Sequence, residues 1–189
     1  MNDTLKTIAK RYSCRSFTDK AISDADLQTI AEAGIQAPSA RNVQGWHISL
    51  VKNKALIAEI DAEGMRVMAE TAKPSYERMM SRGGKLFYNA QAVAFIAVNG
   101  AAAPNYEKYA PVDLGIVAQN ISLAATSLGI DNCHCGMVAF CFAGEKAAEF
   151  NKKLKLPDGY ECNYGVLLGY GSGQGTPHTP NTGKVMIIE

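Results

Sequence analysis

Pro111-Val112-Asp113-Leu114-Gly115-Ile116-Val117-Ala118-Gln119-Asn120-Ile121-Ser122-Leu123-Ala124-Ala125-Thr126-Ser127-Leu128-Gly129 is the stretch from which the rest of the chain is best read. Leu114, Val117, Ala118, Ile121, Ala124, Ala125 and Leu128 recur at helical spacing and form one apolar stripe. Pro111 suits a first helical turn, where a missing N–H is no loss. Gly129 stands where a left-handed residue ends a helix. Ile116 and Leu123 fall outside the stripe, so the pattern predicts a helix buried on more than one side.

Strands flank it. Ala92 to Val98 is a continuous apolar run, the mark of a strand covered on both faces. Residues 99–110 read as loop, 131–138 as a strand and 144–154 as a helix. Pro157-Asp158-Gly159 reads as a turn, Asn163 to Gly171 as a second buried strand and Val185 to Ile188 as a terminal one. Further upstream, Leu5, Ile8 and Ala9 mark a short amphipathic helix ending near Arg11. Ser23-Asp24-Ala25-Asp26 has N-cap form ahead of Leu27, Ile30, Ala31, Gly34 and Ile35, and Pro38 closes that helix. Trp46, Ile48 and Leu50 alternate with His47, Ser49 and Val51 as a strand does. Residues 54–88 are helical in pattern with breaks at Gly64, Pro74 and Gly83-Gly84, which predicts a helix over 54–63 and a looser stretch after it. No repeat, charge run or Ser/Gly linker divides the chain, so residues 1–189 read as one α+β domain.

The balance of 19 Lys and Arg against 18 Asp and Glu, a net charge of +1, argues against a nucleic-acid binder. The longest apolar run is far short of a membrane span, and the N-terminus carries no secretory h-region. Cys14, Cys133, Cys135, Cys141 and Cys162 are odd in number and include no C-x-x-C pair, which fits free thiols in a reducing cytoplasm.

Three segments carry candidate chemistry. In Arg11-Tyr12-Ser13-Cys14-Arg15-Ser16-Phe17, alternate residues of an extended segment point the same way. Arg11, Ser13 and Arg15 can therefore converge on a phosphate monoester, each charge-assisted bond contributing about 1.5–3 kcal/mol. Alone, a solvated basic turn is the simpler reading. Ala37-Pro38-Ser39-Ala40-Arg41-Asn42-Val43-Gln44-Gly45-Trp46 joins a helix to a strand with small and amide residues that let backbone approach a flat ligand, or is an ordinary loop. Asn132-Cys133-His134-Cys135-Gly136-Met137 invites a metal reading, but on a strand His134 faces away from both thiols, and His47 and His178 lack ligand spacing. No metal is expected, and buried packing is the default for the cysteines. Gly169-Tyr170-Gly171-Ser172-Gly173-Gln174-Gly175 is followed by Thr176-Pro177-His178-Thr179-Pro180, which no helix tolerates, so it is a loop and not a dinucleotide fingerprint.

Together and in order, these segments resemble the nitroreductase family of FMN enzymes. Its Arg-x-Ser-x-Arg opening is matched by Arg11, Ser13 and Arg15, with Phe17 as the following aromatic. Its Ala-Pro-Ser-x-x-Asn-x-Gln-Pro-Trp loop is matched by Ala37, Pro38, Ser39, Asn42, Gln44 and Trp46, with Gly45 in place of the second proline. Its central helix is matched by Asp113, Gly115, Gln119, Asn120, Leu123, Ala124, Ala125, Leu128 and Gly129. The resemblance implies an α+β fold with a central, mostly antiparallel sheet flanked by helices. It also implies an intertwined homodimer with two FMN sites at the interface.

By that resemblance Arg11, Tyr12, Ser13 and Arg15 hold the phosphate and ribityl end, and Lys184 completes the phosphate grip. Pro38, Ser39, Ala40 and Asn42 border the isoalloxazine from the other subunit. Cys133, His134, Cys135 and Gly136 run along the ring, with the Cys135 N–H near flavin N5. Asp61, or Arg66 in its stead, takes the pyrimidine edge, and Arg41, Met65, Met68 and Tyr106 face the substrate. The chemistry implied is ping-pong: NADH or NADPH reduces the flavin, then a small oxidant such as a nitroaromatic or quinone takes the electrons. No side chain need act as a nucleophile. Other readings are flavin reduction on the same fold, a flavin carrier without turnover, and a cysteine-based hydrolase or transferase using Cys133 or Cys135.

Overall fold

The computed structural model describes residues 1–173 and 175–188; Gln174, part of the glycine-rich run above, lies outside the described residues. Four strands form one sheet in the order β1-β2-β4-β3, with β1 Trp46–Val51, β2 Ala92–Val98, β3 Asp131–Cys135 and β4 Glu161–Gly169. Every pairing is antiparallel. Beta-strand alternation sends Val93, Phe95 and Ala97 to one face of β2 and Ala94, Ile96 and Val98 to the other, and each set joins a different apolar cluster. The sheet is thus a middle layer. Helices α2 (Asp24–Ile35) and α5 (Ala110–Ser127) cover one face through Leu27, Ile30, Val117 and Ile121. Helices α3 (Lys54–Thr71), α6 (Val138–Cys141) and α7 (Ala147–Lys153) cover the other through Ile60, Met68, Val138 and Phe150.

The central helix behaves as its sequence predicts. Leu114, Val117, Ala118, Ile121 and Ala125 are buried, and so are Ser122 and Thr126 on a neighbouring face, which explains the second buried side. Gly129 has φ +74° and ends the helix in the left-handed region. The expected stripe runs one residue too far, since Leu128 is exposed.

Two boundaries, at Gly64 and at Val185–Ile188, depart from expectation. Gly64 does not break α3: a Cβ there would stand 2.5 Å from Cys141 Sγ and 2.6 Å from Leu86 Cδ1, so this glycine admits close packing inside a continuous helix. The break expected at Pro74 is present: α3 ends at Thr71, Ala72 is non-helical, and Pro74 stands in the first turn of α4 (Lys73–Met80), where proline needs no donor. Val185–Ile188 forms no strand; its side chains are 77–88% exposed, because an apolar run alone does not supply a strand to pair with. Smaller shifts fall at β3, which ends at Cys135 where the chain turns into α6, and at β4, which starts two residues earlier than expected.

Candidate functional site at two sheet edges

The first helix, α1 (Asp3–Lys10), is capped by Arg11, whose N–H returns to Thr7 O at 3.2 Å. The chain then runs extended along the outer edge of β3. Ser13 bridges Asn132 in parallel, and Cys14 N donates to Asn132 O at 2.9 Å. Asn132 is itself fixed by α5: its Nδ2 donates to Ser122 O and Thr126 Oγ1, both at 3.0 Å. The Ser13 hydroxyl reaches the Cys133 thiol, with Arg15 and Arg11 close enough to draw that thiol's pKa down while burial pushes it up. Arg11, Ser13 and Arg15 are therefore gathered on one strip, as alternation predicts. Arg11 Nη1 is buried without a hydrogen-bond partner among the described residues. Tyr12 points elsewhere: Gly171 and Gly175 pack against it, and its hydroxyl meets Asp131, whose Oδ2 also accepts from Gly171 N at 2.8 Å.

Sheet register decides what β3 offers at its edge. Asn132 C=O points outward to Cys14, so Cys133 and Cys135 are the residues paired by hydrogen bonds with Leu167 and Gly165 of β4. The Cys135 N–H is consequently turned into the sheet, and the outward N–H belongs to His134. This corrects the expectation that Cys135 N–H faces a ligand. The His134 ring lies on the opposite side of the sheet from the thiols: Nε2 meets Ser122 Oγ at 2.8 Å and Nδ1 meets Tyr164 Oη at 3.1 Å. Burial, and then Arg11, lower its pKa. Gly136 follows, with only the Tyr164 ring edge 3.8 Å from where a Cβ would sit.

The loop containing Pro38, Ser39, Ala40 and Asn42 enters β1 at the opposite edge. Three interstrand steps of about 4.8 Å separate β1 from β3, roughly 14 Å, so one chain does not bring this loop to Arg11–Arg15. It is tightly built. Ala40 N donates to both oxygens of Asp113 at 3.1 and 3.3 Å, and Tyr106 Oη donates to Asp113 Oδ2 at 2.7 Å. Gln44 N donates to Ser39 Oγ at 2.9 Å, and Arg41 Nη2 to Pro104 O at 2.7 Å. Arg41, Asn42 and Gln44 hold φ of 55°, 55° and 51°, left-handed positions on either side of a right-handed Val43 that these bonds hold in place. The Tyr106 ring lies where a Cβ on Gly45 would be, which accounts for glycine at that position. Tyr106 is fully buried, and burial with Asp113 pushes its pKa up to about 12. It is a packing and positioning residue rather than a substrate-facing one. Met68 is likewise a core residue, whereas Met65, though packed in the core, also lines a cavity beside α3.

With the two edges in place, comparison settles the ancestry: residues 8–170 match the Nitroreductase family. The chain belongs to the nitroreductase family. A nitroreductase with bound FMN from Desulfitobacterium hafniense is 46% identical, with a TM-score of 0.93 over 100% of both chains. A nitroreductase with bound FMN from Bacteroides fragilis is 26% identical, with a TM-score of 0.90 over 100% of both chains. The NADPH-flavin oxidoreductase of Vibrio harveyi is 27% identical across 90% of this chain, which spans 66% of that relative's length.

Of the remaining expected residues, Asp61 lies behind β3, one residue removed from Cys135, whose thiol reaches Leu86 O at 3.9 Å. Both Asp61 oxygens accept backbone N–H groups, from Leu86 at 3.1 Å and Phe87 at 2.9 Å; burial outweighs those bonds and raises its pKa. Arg66 is paired with Glu63 and Glu70. Lys184 sits in an exposed turn, Thr182–Lys184, with no ion pair among the described residues. All five cysteines are free and buried, and burial drives Cys135 and Cys162 up to about 12. The rings that a thiol nucleophile would need are elsewhere: His47 meets Tyr160 edge to face, and His178 is exposed. No group of residues suited to a metal ion occurs among the described residues, and no helix of the described residues is long and apolar enough to cross a membrane. Asp113 and Tyr106 are the residues whose roles sequence reading missed. The available signal was an acid in the first turn of a helix whose neighbours are all apolar.

Proposed function

We propose that the chain is an FMN-dependent oxidoreductase that takes electrons from NADH or NADPH and passes them to small acceptors such as nitroaromatics and quinones. The observation that carries this reading is the strip at the β3 edge, where Arg11 Nη1 lacks a partner beside Ser13 and Arg15. Two guanidiniums and a hydroxyl match a phosphate monoester, and a buried guanidinium nitrogen without a partner calls for an explanation that a nearby anion offers. Arg11, Ser13 and Arg15, with Lys184 from the segment 175–188, hold the phosphate end. Tyr12 shapes the strip from behind. Cys133, His134, Cys135 and Gly136 supply an open strand edge for the ring, with the outward His134 N–H as the donor. Asp61 acts behind this wall by fixing Leu86 and Phe87.

Pro38, Ser39, Ala40 and Asn42 reach the ring from a second copy of the chain. The separation of the two edges supports that assignment, as do the exposed apolar residues Leu5 and Ile8 on α1 and Val185 to Ile188. An intertwined homodimer buries these and completes two sites. Bound FMN supplies two-electron transfer, with NAD(P)H and acceptor using the same face in ping-pong order. The protein orients, excludes water, and places cations where reduced flavin carries negative charge. Five thiols without disulfides fit a cytoplasmic protein, and residues 1–189 act as one domain.

Purified protein is expected to retain one FMN per chain, to bleach anaerobically with NADH or NADPH, and to regain colour on adding an oxidant. Protein that takes up no FMN sinks the reading. FMN that binds but is bleached by neither nicotinamide leaves a carrier instead of an enzyme.

A further inference from the structure

Between Ala37 and Gly45 the loop at the β1 edge carries a single charge, on Arg41; every other residue there is neutral. Arg41 is exposed and has φ 55° and ψ 22°, a left-handed conformation that a non-glycine residue keeps only where its surroundings enforce it. Here they do. On one side Ala40 N is bound to Asp113; on the other, Asn42 N donates to Ser39 O at 3.0 Å and Val43 N to Ala40 O at 3.1 Å. The backbone beneath the guanidinium is therefore fixed.

The side chain is fixed as well. Its Nη2 donates to Pro104 O at 2.7 Å. The next turn holds Pro104 in place, with Asn105 left-handed at φ 57° and Tyr106 N donating to Ala103 O at 3.1 Å. A carbonyl takes up one N–H of a guanidinium and none of its charge. No carboxylate neutralises the rest: Arg41 forms no ion pair among the described residues. Asp113 lies under the loop, occupied by Ala40 N and Tyr106 Oη. Glu107, the acid nearest to Pro104 in sequence, lines a separate depression with Asn99, Gly100 and Glu161. One tether thus orients the planar fork and leaves it charged and open, the arrangement that recognises a carboxylate.

We propose that Arg41 selects the electron acceptor, favouring aromatic carboxylates over neutral aromatics of the same shape. The inference rests on the flavin reading above, in which Ala40 and Asn42, on either side of Arg41, border the isoalloxazine held by a second copy. An acceptor stacked on that ring meets the guanidinium at its edge, and a carboxylate there pairs with it. NADH and NADPH also carry anions, so the test separates acceptor from donor.

Benzoate and benzamide are titrated by calorimetry into the FMN-loaded protein, and 4-nitrobenzoate and 4-nitrobenzamide are compared as acceptors at saturating NADH or NADPH. Wild type should bind benzoate more tightly than benzamide. In Arg41→Gln the benzoate-to-benzamide affinity ratio, and the kcat/KM ratio of the two acceptors, should each fall at least about tenfold. Glutamine can still donate to Pro104 O, so this loss reads the charge and not the shape of the loop. Arg41→Lys, which keeps the charge without the fork, should recover part of both ratios. Wild type that does not favour benzoate overturns the proposal, as do ratios equal in wild type and Arg41→Gln. A change confined to the KM of the nicotinamide also overturns it, because the guanidinium then serves the donor's phosphates. Protein that takes up no FMN refutes the flavin reading and this inference with it. FMN-loaded protein that a nicotinamide bleaches, but whose ratios ignore Arg41, refutes this inference alone.

Discussion

The loop at the β1 edge and the strip at the β3 edge are built to opposite standards. In the loop, Ala40 N, Gln44 N, Tyr106 Oη and Arg41 Nη2 all find acceptors within the chain, and three left-handed residues are locked in place. In the strip, Arg11 Nη1 is left without a partner among the described residues, Arg15 is exposed, and His134 turns its N–H away from β4. A region complete within its own chain supplies shape. A region with donors to spare awaits an anion. The difference assigns the loop to positioning and the strip to binding, and mutations can test each half.

The largest expected effect is on binding alone. Replacing both Arg11 and Arg15 with Ala removes two charge-assisted contacts of about 1.5–3 kcal/mol each, so FMN affinity should fall by at least about 100-fold. Because neither guanidinium forms a salt bridge among the described residues, thermal stability without FMN should hardly move. Equilibrium dialysis and a melting curve read the two quantities separately. Unchanged FMN affinity removes the strip from the site, and a collapsed melting temperature makes the arginines structural.

Asp113→Ala should show the reverse. It leaves Ala40 N and the buried Tyr106 hydroxyl without acceptors, at about 1–3 kcal/mol for each unsatisfied group. Urea denaturation should report a loss of roughly 2–4 kcal/mol, with Asn at this position recovering part of it through its one remaining oxygen. If Ala and Asn behave alike, hydrogen bonding to Asp113 is not what holds the loop. Gly45→Ala tests the same loop by volume. Its Cβ meets the Tyr106 ring, and overpacking of this kind costs about 1–3 kcal/mol. A neutral outcome means that Tyr106 moves freely, which contradicts a locked loop.

Much of this comparison was legible in the sequence, because it rests on local rules. Period-two alternation grouped Arg11, Ser13 and Arg15 and sent His134 away from the thiols, and helical period with a C′ glycine located α5. What the sequence hid depends on pairing between distant segments. Which β3 amide points outward is set by register against β4 and by Cys14, so Cys135 and His134 could not be told apart. Gly64 looked like a breaker because its partner, Cys141, lies far along the chain. Asp61 looked available because nothing local shows that Leu86 and Phe87 will donate to it. Val185–Ile188 has strand composition, but whether it pairs is decided by what lies beside it.

The smallest effect concerns the hinge between the two regions, His134, which ties β3 to α5 through Ser122 and to β4 through Tyr164. Burial, then Arg11, lower its folded pKa below the ordinary 6.5. The unfolded chain therefore binds a proton that the folded chain refuses. Stability from this residue is fully present above about pH 6.5 and drains away as pH falls through the depressed value. In the unfolded state His134 titrates freely, so the loss begins just below 6.5 and not at the carboxylate range. Urea midpoints of wild type and His134→Gln, compared from pH 7.5 to about 5, isolate the term from every other titrating group. Wild type should lose stability faster than the variant on the acid side, by about 1 kcal/mol or less per pH unit. Parallel curves mean that His134 is protonated equally in both states. The Ser122–His134–Tyr164 contacts would then not require a neutral ring, and the strand edge beside the arginines would be held by backbone pairing alone.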